Sequence, residues 1–250
     1  MGWVATPSGN LRFAVRGEGP PLLLLHGLGD SLAGWAQVVP RLARSHEVHL
    51  LDLPGHGLSG APPDFRLRTL TAAVAHYAGT AFAGRAPVLA GHSLGAWIAL
   101  RLVLSSAVAP ARLVLINPGG ALLAREEWAP FRALVSATDR AGVLRYLEAA
   151  FHRPPLALRL FPGEVVRAMG APASRGILDA LVEEDFLAEA ELLALRLPVR
   201  LVWGERDRLL PPGTLEFFRR AIPHVEVRLL RDAGHLPHLE APRELARAIV

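Results

Sequence analysis

A serine framed by glycines, an aspartate and a histidine follow one another in an order that suits acyl-transfer chemistry. Gly91-His92-Ser93-Leu94-Gly95 fits the pattern G-x-S-x-G. An apolar run at 86–90 precedes it and another at 96–104 follows, so the pentapeptide falls where a strand turns into a helix. A serine at such a turn projects its hydroxyl above the sheet edge. Glycines at 91 and 95 let the two backbones approach closely. The helix N-terminus behind Ser93 aims N–H groups at developing negative charge.

A neutral serine is a poor nucleophile; it needs a base, and the base needs an orienting acid. Two later segments offer them. The apolar run 201–203 ends in Gly204-Glu205-Arg206-Asp207, and the run 225–229 leads to Arg231-Asp232-Ala233-Gly234-His235. Asp207 and His235 both fall just beyond a strand, where ligands bind in open α/β sheets. Glu205 and Asp232 compete with Asp207, which lies deeper in its loop than Glu205, and His238 competes with His235.

Upstream, His26-Gly27-Leu28-Gly29 closes the leucine-rich run 22–25. A glycine-rich turn here can present the Leu28 amide to the serine. With the amide of Leu94 it would make a two-donor oxyanion hole, each donor worth about 2.7–4 kcal/mol in the transition state. Asp52-Leu53-Pro54-Gly55-His56-Gly57-Leu58-Ser59 reads as a structured turn in which Asp52 or Ser59 binds nearby amides.

These residues need a frame. Residues 3–5 and 11–16 flank Pro7-Ser8-Gly9-Asn10 and predict a hairpin. Strands are expected over 22–25, 48–53, 87–90, 112–116, 199–203 and 225–229. Helices are expected over 31–43, 70–82, 94–104 and 213–221, with a last one from 242. Between 118 and 195 no strand pattern is evident, and helical patterns cover 128–138, 141–151 and 178–194. The expectation is an α/β fold with a mostly parallel central sheet and helices on both faces. Residues 1–117 and 196–250 form its core, and 118–195 a helical cap insertion.

Composition agrees with an ordered domain: 51% of the 250 residues are hydrophobic and 20% charged. Cysteine is absent, which excludes disulfide and thiolate chemistry. The sequence pI near 10.7 invites a nucleic-acid reading. All 27 basic residues are arginine, however, and they are scattered, so no nucleic-acid partner is expected. No apolar run is long enough for a membrane span, and no secretory signal is evident, so a cytoplasmic location is expected. The ten histidines show no metal-ligand spacing, and neither metal nor cofactor is expected.

Taken together, the segments around Gly27, Asp52–Ser59, Ser93, Asp207 and His235 resemble the α/β-hydrolase fold superfamily over nearly the whole chain. The resemblance implies Ser93 as nucleophile, His235 as base, Asp207 as its acid, the amides of Leu28 and Leu94 as oxyanion donors, and a cap over the pocket. Serine at 93 separates the chain from the dehalogenases and epoxide hydrolases of this fold, which carry aspartate there. The expected activity is cofactor-free hydrolysis of a carboxylic ester of a small apolar substrate. C–C bond hydrolysis or lactone opening by the same triad is the second reading, and a small-ligand receptor the non-enzyme one. Trp128, Phe131, Tyr146, Phe151, Phe161, Met169 and Phe186 give the cap region aromatic and apolar character. Its arginines at 125, 132, 140, 145, 153 and 159 are expected in solvent. The sequence leaves the oligomeric state open.

Overall fold

The computed structural model describes residues 1–250 apart from the side chain of Glu164. Eight strands make one sheet: β1 (Gly2–Thr6), β2 (Gly9–Arg16), β3 (Pro21–Leu25), β4 (Glu47–Leu51), β5 (Val88–His92), β6 (Arg112–Ile116), β7 (Val199–Gly204) and β8 (Glu226–Leu230). Their order is β1-β2-β4-β3-β5-β6-β7-β8. β2 runs antiparallel to β1 and β4, and the remaining neighbours are parallel.

The all-apolar β3 explains the layering. Successive side chains of a strand face opposite ways. Leu23 and Leu25 join one core with Leu70, Val74, Ile98 and Leu102. Leu22 and Leu24 join another with Trp35, Val38, Leu245 and Ile249. All four leucines are fully buried, at about 1.5–3 kcal/mol each. The helices on the first face include α2 (Leu67–Ala81), α3 (Leu94–Leu104) and α10 (Thr214–Ala221); α1 (Val39–Leu42) and α12 (Pro242–Ile249) cover the second. The short α11 (Pro237–Glu240) precedes α12.

Between β6 and β7 lie α4 (Arg125–Val135), α5 (Arg140–Ala150), α6 (Leu156–Leu160), α7 (Gly163–Gly170), α8 (Pro172–Ala180) and α9 (Glu189–Leu192). Among the described residues no strand falls here, and the one pairing is a single bridge between Ala121 and Leu187.

Two expected helices are broken. Residues 31–43 form a 3-10 turn, Leu32–Gln37, capped by the Ser31 hydroxyl, and then α1, which Pro40 restarts near its N-terminus. The stretch 178–194 ends its first α-helix at Ala180, passes through a 3-10 turn at Glu183–Asp185 and resumes as α-helix at Glu189. In the gap, the Arg101 guanidinium draws in the carbonyls of Glu184, Asp185 and Phe186, and the Trp97 indole also donates to Asp185. These contacts turn the carbonyls of 184–186 toward α3 instead of along a helix axis. Sequence periodicity does not register such a tertiary claim on the backbone.

Candidate active site

Ser93 sits between β5 and α3 with φ 52° and ψ −113°, a left-handed conformation costly for a residue with a Cβ. Its two glycines make the turn possible. A Cβ on Gly91 would lie 2.3 Å from the Gly95 carbonyl oxygen, and one on Gly95 would lie 2.4 Å from that of Leu25. Helix and strands therefore meet backbone to backbone. The Ser93 amide bonds the Ile116 carbonyl at 3.0 Å, tying the turn to β6.

The loop after β3 reaches the same place. A Cβ on Gly27 would stand 3.3 Å from the Ser93 Cβ. Leu28 and Leu94 line one cavity with Ser93. The His26 ring fixes this loop: its Nδ1 donates to the Gly27 carbonyl (2.8 Å) and its Nε2 accepts from the Leu53 amide (2.9 Å). Those two bonds require the neutral ring with its proton on Nδ1. Burial lowers the His26 pKa in the same sense.

The 52–59 segment is a turn, as its residue types suggest. Asp52 accepts from the amides of Leu32 (2.8 Å) and Leu58 (3.0 Å), and Ser59 donates to the Asp52 carbonyl (2.6 Å).

Asp207 and His235 meet past the ends of β7 and β8. Asp207 Oδ2 accepts from His235 Nδ1 at 2.8 Å, with both side chains almost wholly buried. Asp207 Oδ1 takes the amides of Leu209 (2.9 Å) and Leu210 (3.1 Å). Burial alone pushes the Asp207 carboxyl up. The His235 charge and hydrogen bond, the Leu210 amide and Asn117 outweigh it and hold the group below the ordinary aspartate value. His235 and Ser93 line one cavity; among the described residues Ser93 Oγ makes no hydrogen bond.

The competing acids fall elsewhere, and the competing histidine is engaged by another carboxylate. The Asp232 carboxylate is 87% exposed and stands 4.0 Å from His152, and Glu205 is exposed. His238 pairs instead with Asp30, its Nε2 3.3 Å from the Asp30 carboxylate.

Three further residues hold this arrangement, and sequence reading missed their part. Asn117, at the end of β6, donates from Nδ2 to Asp207 Oδ2 (2.6 Å) and accepts the Gly204 amide on Oδ1 (3.2 Å). It has φ 41°, which asparagine tolerates better than most residues. His92 Nε2 bonds the His235 carbonyl at 2.7 Å. Glu240 gathers the amides of Gly234 (2.8 Å), Arg153 (2.9 Å) and His152 (3.1 Å). Asn117 opens an Asn-Pro-Gly-Gly stretch, a turn signal after a strand that deserved a functional reading. Nothing in the sequence marks His92 or Glu240 beyond proximity to Ser93 and His235.

The profile of the alpha/beta hydrolase fold matches residues 20–242. The pimeloyl-[acyl-carrier protein] methyl ester esterase of Chromobacterium violaceum is 31% identical, with 96% of each chain covered. The enzyme of that name from Xanthomonas campestris pv. campestris is 32% identical over 94% of this chain and 95% of its own. The crystal structure of a membrane phospholipase A, a bacterial virulence factor, superposes with a TM-score of 0.85 at 28% identity, covering 98% of this chain and 83% of that one. With its sheet order, its strained serine turn and these relatives, the chain belongs to the α/β-hydrolase fold family.

Proposed function

We propose that the protein is a serine esterase in which Ser93 attacks, His235 moves the proton, Asp207 orients His235, and the amides of Leu28 and Leu94 hold the oxyanion. The observation that carries the reading is the buried Asp207–His235 pair sharing a cavity with a strained Ser93. Relatives at 31–32% identity named as methyl ester esterases support ester cleavage as the reaction.

The Asp207 bond to Nδ1 sets the His235 tautomer and leaves Nε2 to accept a proton. His235 Nε2 takes the Ser93 proton as Oγ bonds to the acyl carbon. The carbonyl electrons move to oxygen, which the two amides stabilise. The C–O bond to the alcohol then breaks as His235 returns the proton to the leaving oxygen. Water, deprotonated by His235, attacks the acyl-enzyme in the same way and releases the acid. The ionised Asp207 stabilises the imidazolium at both stages.

Residues 118–195 serve as the cap, and Trp128, Phe131 and Phe186 from it line a cavity with Ser93. That lining favours a small apolar acyl group. The test is steady-state hydrolysis of short p-nitrophenyl esters. Ser93→Ala is expected to lose at least about a thousandfold in kcat; undiminished turnover by the pure variant overturns the reading.

A further inference from the structure

Two cavities meet at Ser93, and their walls differ in kind. One is a narrow slot walled by Trp97, Trp128, Ile177, Leu181 and Phe186. Apart from Ser93, its one charged lining residue among the described residues is Arg132, which is half-exposed. The other is a roomier chamber of about 370 Å³ whose walls carry Asp30, Tyr146, His235 and His238. Ser93, Leu28 and Phe131 belong to both, whereas His235 lines the chamber and not the slot.

Resting on the esterase reading, we propose that the slot receives the acyl chain, that the chamber receives the leaving alcohol, and that the Tyr146 hydroxyl hydrogen-bonds an oxygen of that alcohol. The tetrahedral carbon bears four groups: Ser93 Oγ, the oxyanion, the leaving oxygen and the acyl chain. The leaving oxygen must face His235 to receive its proton, so the alcohol lies on the His235 side. The oxyanion faces the amides of Leu28 and Leu94. The acyl chain takes the remaining direction, into the slot.

Trp128, Arg132, Leu181 and Phe186 line a second, wider cavity with Arg125 and Glu183. The tryptophan and phenylalanine walls fit a slender acyl chain better than a bulky or branched one. Phe186 is held in this wall by the Arg101 contacts to residues 184–186.

Tyr146 gives the chamber its polar handle. The residue is 8% exposed on the chamber wall, and its hydroxyl forms no hydrogen bond among the described residues. The hydroxyl is not sealed among apolar atoms and is free to take a partner in the chamber. Here the substrate would supply it, so an alcohol with an ether or hydroxyl oxygen is preferred over a plain alkyl one. Burial raises the Tyr146 pKa, which keeps the hydroxyl protonated as a donor.

The experiment measures kcat/KM on a grid of esters. Acetate, hexanoate and decanoate test the slot; 2-methoxyethyl, glyceryl and n-butyl alcohols test the chamber. Leu181→Trp, at a half-buried slot position, is expected to lower the decanoate-to-acetate ratio at least tenfold and leave the methoxyethyl-to-butyl ratio as it was. Tyr146→Phe, which removes one oxygen atom, is expected to lower the oxygenated-to-butyl ratio about fivefold, the worth of one neutral hydrogen bond, without moving the acyl-length ratio. Gly119→Val is a second slot variant, since a Cβ there meets nothing nearer than 3.8 Å; it is expected to lower the same ratio as Leu181→Trp. Turnover with these ratios unmoved, or with the two effects exchanged, overturns the assignment and leaves the esterase reading standing. No turnover of any ester by the wild type, with Ser93 inert to a fluorophosphonate, overturns both.

Discussion

His92 Nε2 bonds the backbone carbonyl of His235 at 2.7 Å, so a residue of the serine turn fixes the loop that carries the proposed base. The two rings stand 4.9 Å apart, and the His238 ring lies 4.8 Å from that of His92. Burial, together with the neighbouring histidines, holds the His92 pKa well below its ordinary value, so the ring stays neutral and its Nε2 proton is committed to this bond. His92→Phe keeps an aromatic ring but deletes the donor. The expected result is a fall in kcat of about tenfold, since small misplacements of a catalytic group are costly, with KM nearly unchanged. A fall confined to KM would show that His92 has no part in placing His235.

Asn117 acts on the acid rather than the base. Asn117→Ala leaves both Asp207 Oδ2 and the Gly204 amide one partner short. It is expected to cost about 1–3 kcal/mol of stability and to lower kcat. Asn117→Asp sets a second carboxylate against Asp207 and is expected to be worse than alanine in kcat at neutral pH. Urea unfolding and steady-state kinetics on the two variants check the order.

Glu240 joins the His235 loop to the chain after α5 through three amides. Glu240→Gln preserves the shape but surrenders charge-assisted acceptance and turns one acceptor into a donor facing N–H groups. A loss of about 2 kcal/mol is expected, with faster amide exchange at Gly234, His152 and Arg153. Unchanged exchange at those three sites would refute the link.

Acid lability should originate in buried histidines. Burial, with a smaller contribution from His26, lowers the His56 pKa to about 4. The unfolded chain takes the same proton near 6.5. Between those values the unfolded state binds more protons, so stability falls as pH drops from about 6.5 toward 4 and the loss is complete below 4. One such group accounts for about 3 kcal/mol. His26 and His92 shift in the same direction and add to the effect. The lowered carboxyls of Asp30 and Asp207 act in a separate window, where stability present above their ordinary aspartate values is lost at lower pH. His56→Asn is expected to flatten the slope of stability against pH between 4 and 6.5; an unaltered slope would assign the lability elsewhere.

The sheet and the residues around Ser93 were legible in the sequence for a physical reason. Backbone-to-backbone contact at Gly91 and Gly95 admits no other residue, and a strand buried on both faces, such as β3, has to be apolar throughout. The Asp207–His235 pairing was legible because both residues follow strands of one sheet. What stayed hidden depends on contacts distant in sequence. Asn117 reaches Asp207 across 90 positions, and Arg101 reaches residues 184–186 across more than 80. The helix expected over 178–194 failed for that reason, while α6 and α7 fell in a Pro- and Gly-punctuated stretch whose periodicity is too short to register.

The central claim is that Ser93 is the nucleophile. Its most direct test is fluorophosphonate labelling of the folded protein followed by peptide mapping. The account predicts one adduct, on the peptide bearing Ser93, abolished in Ser93→Ala and slowed in His235→Ala. An adduct on another residue, or equal labelling of Ser93→Ala, would contradict it.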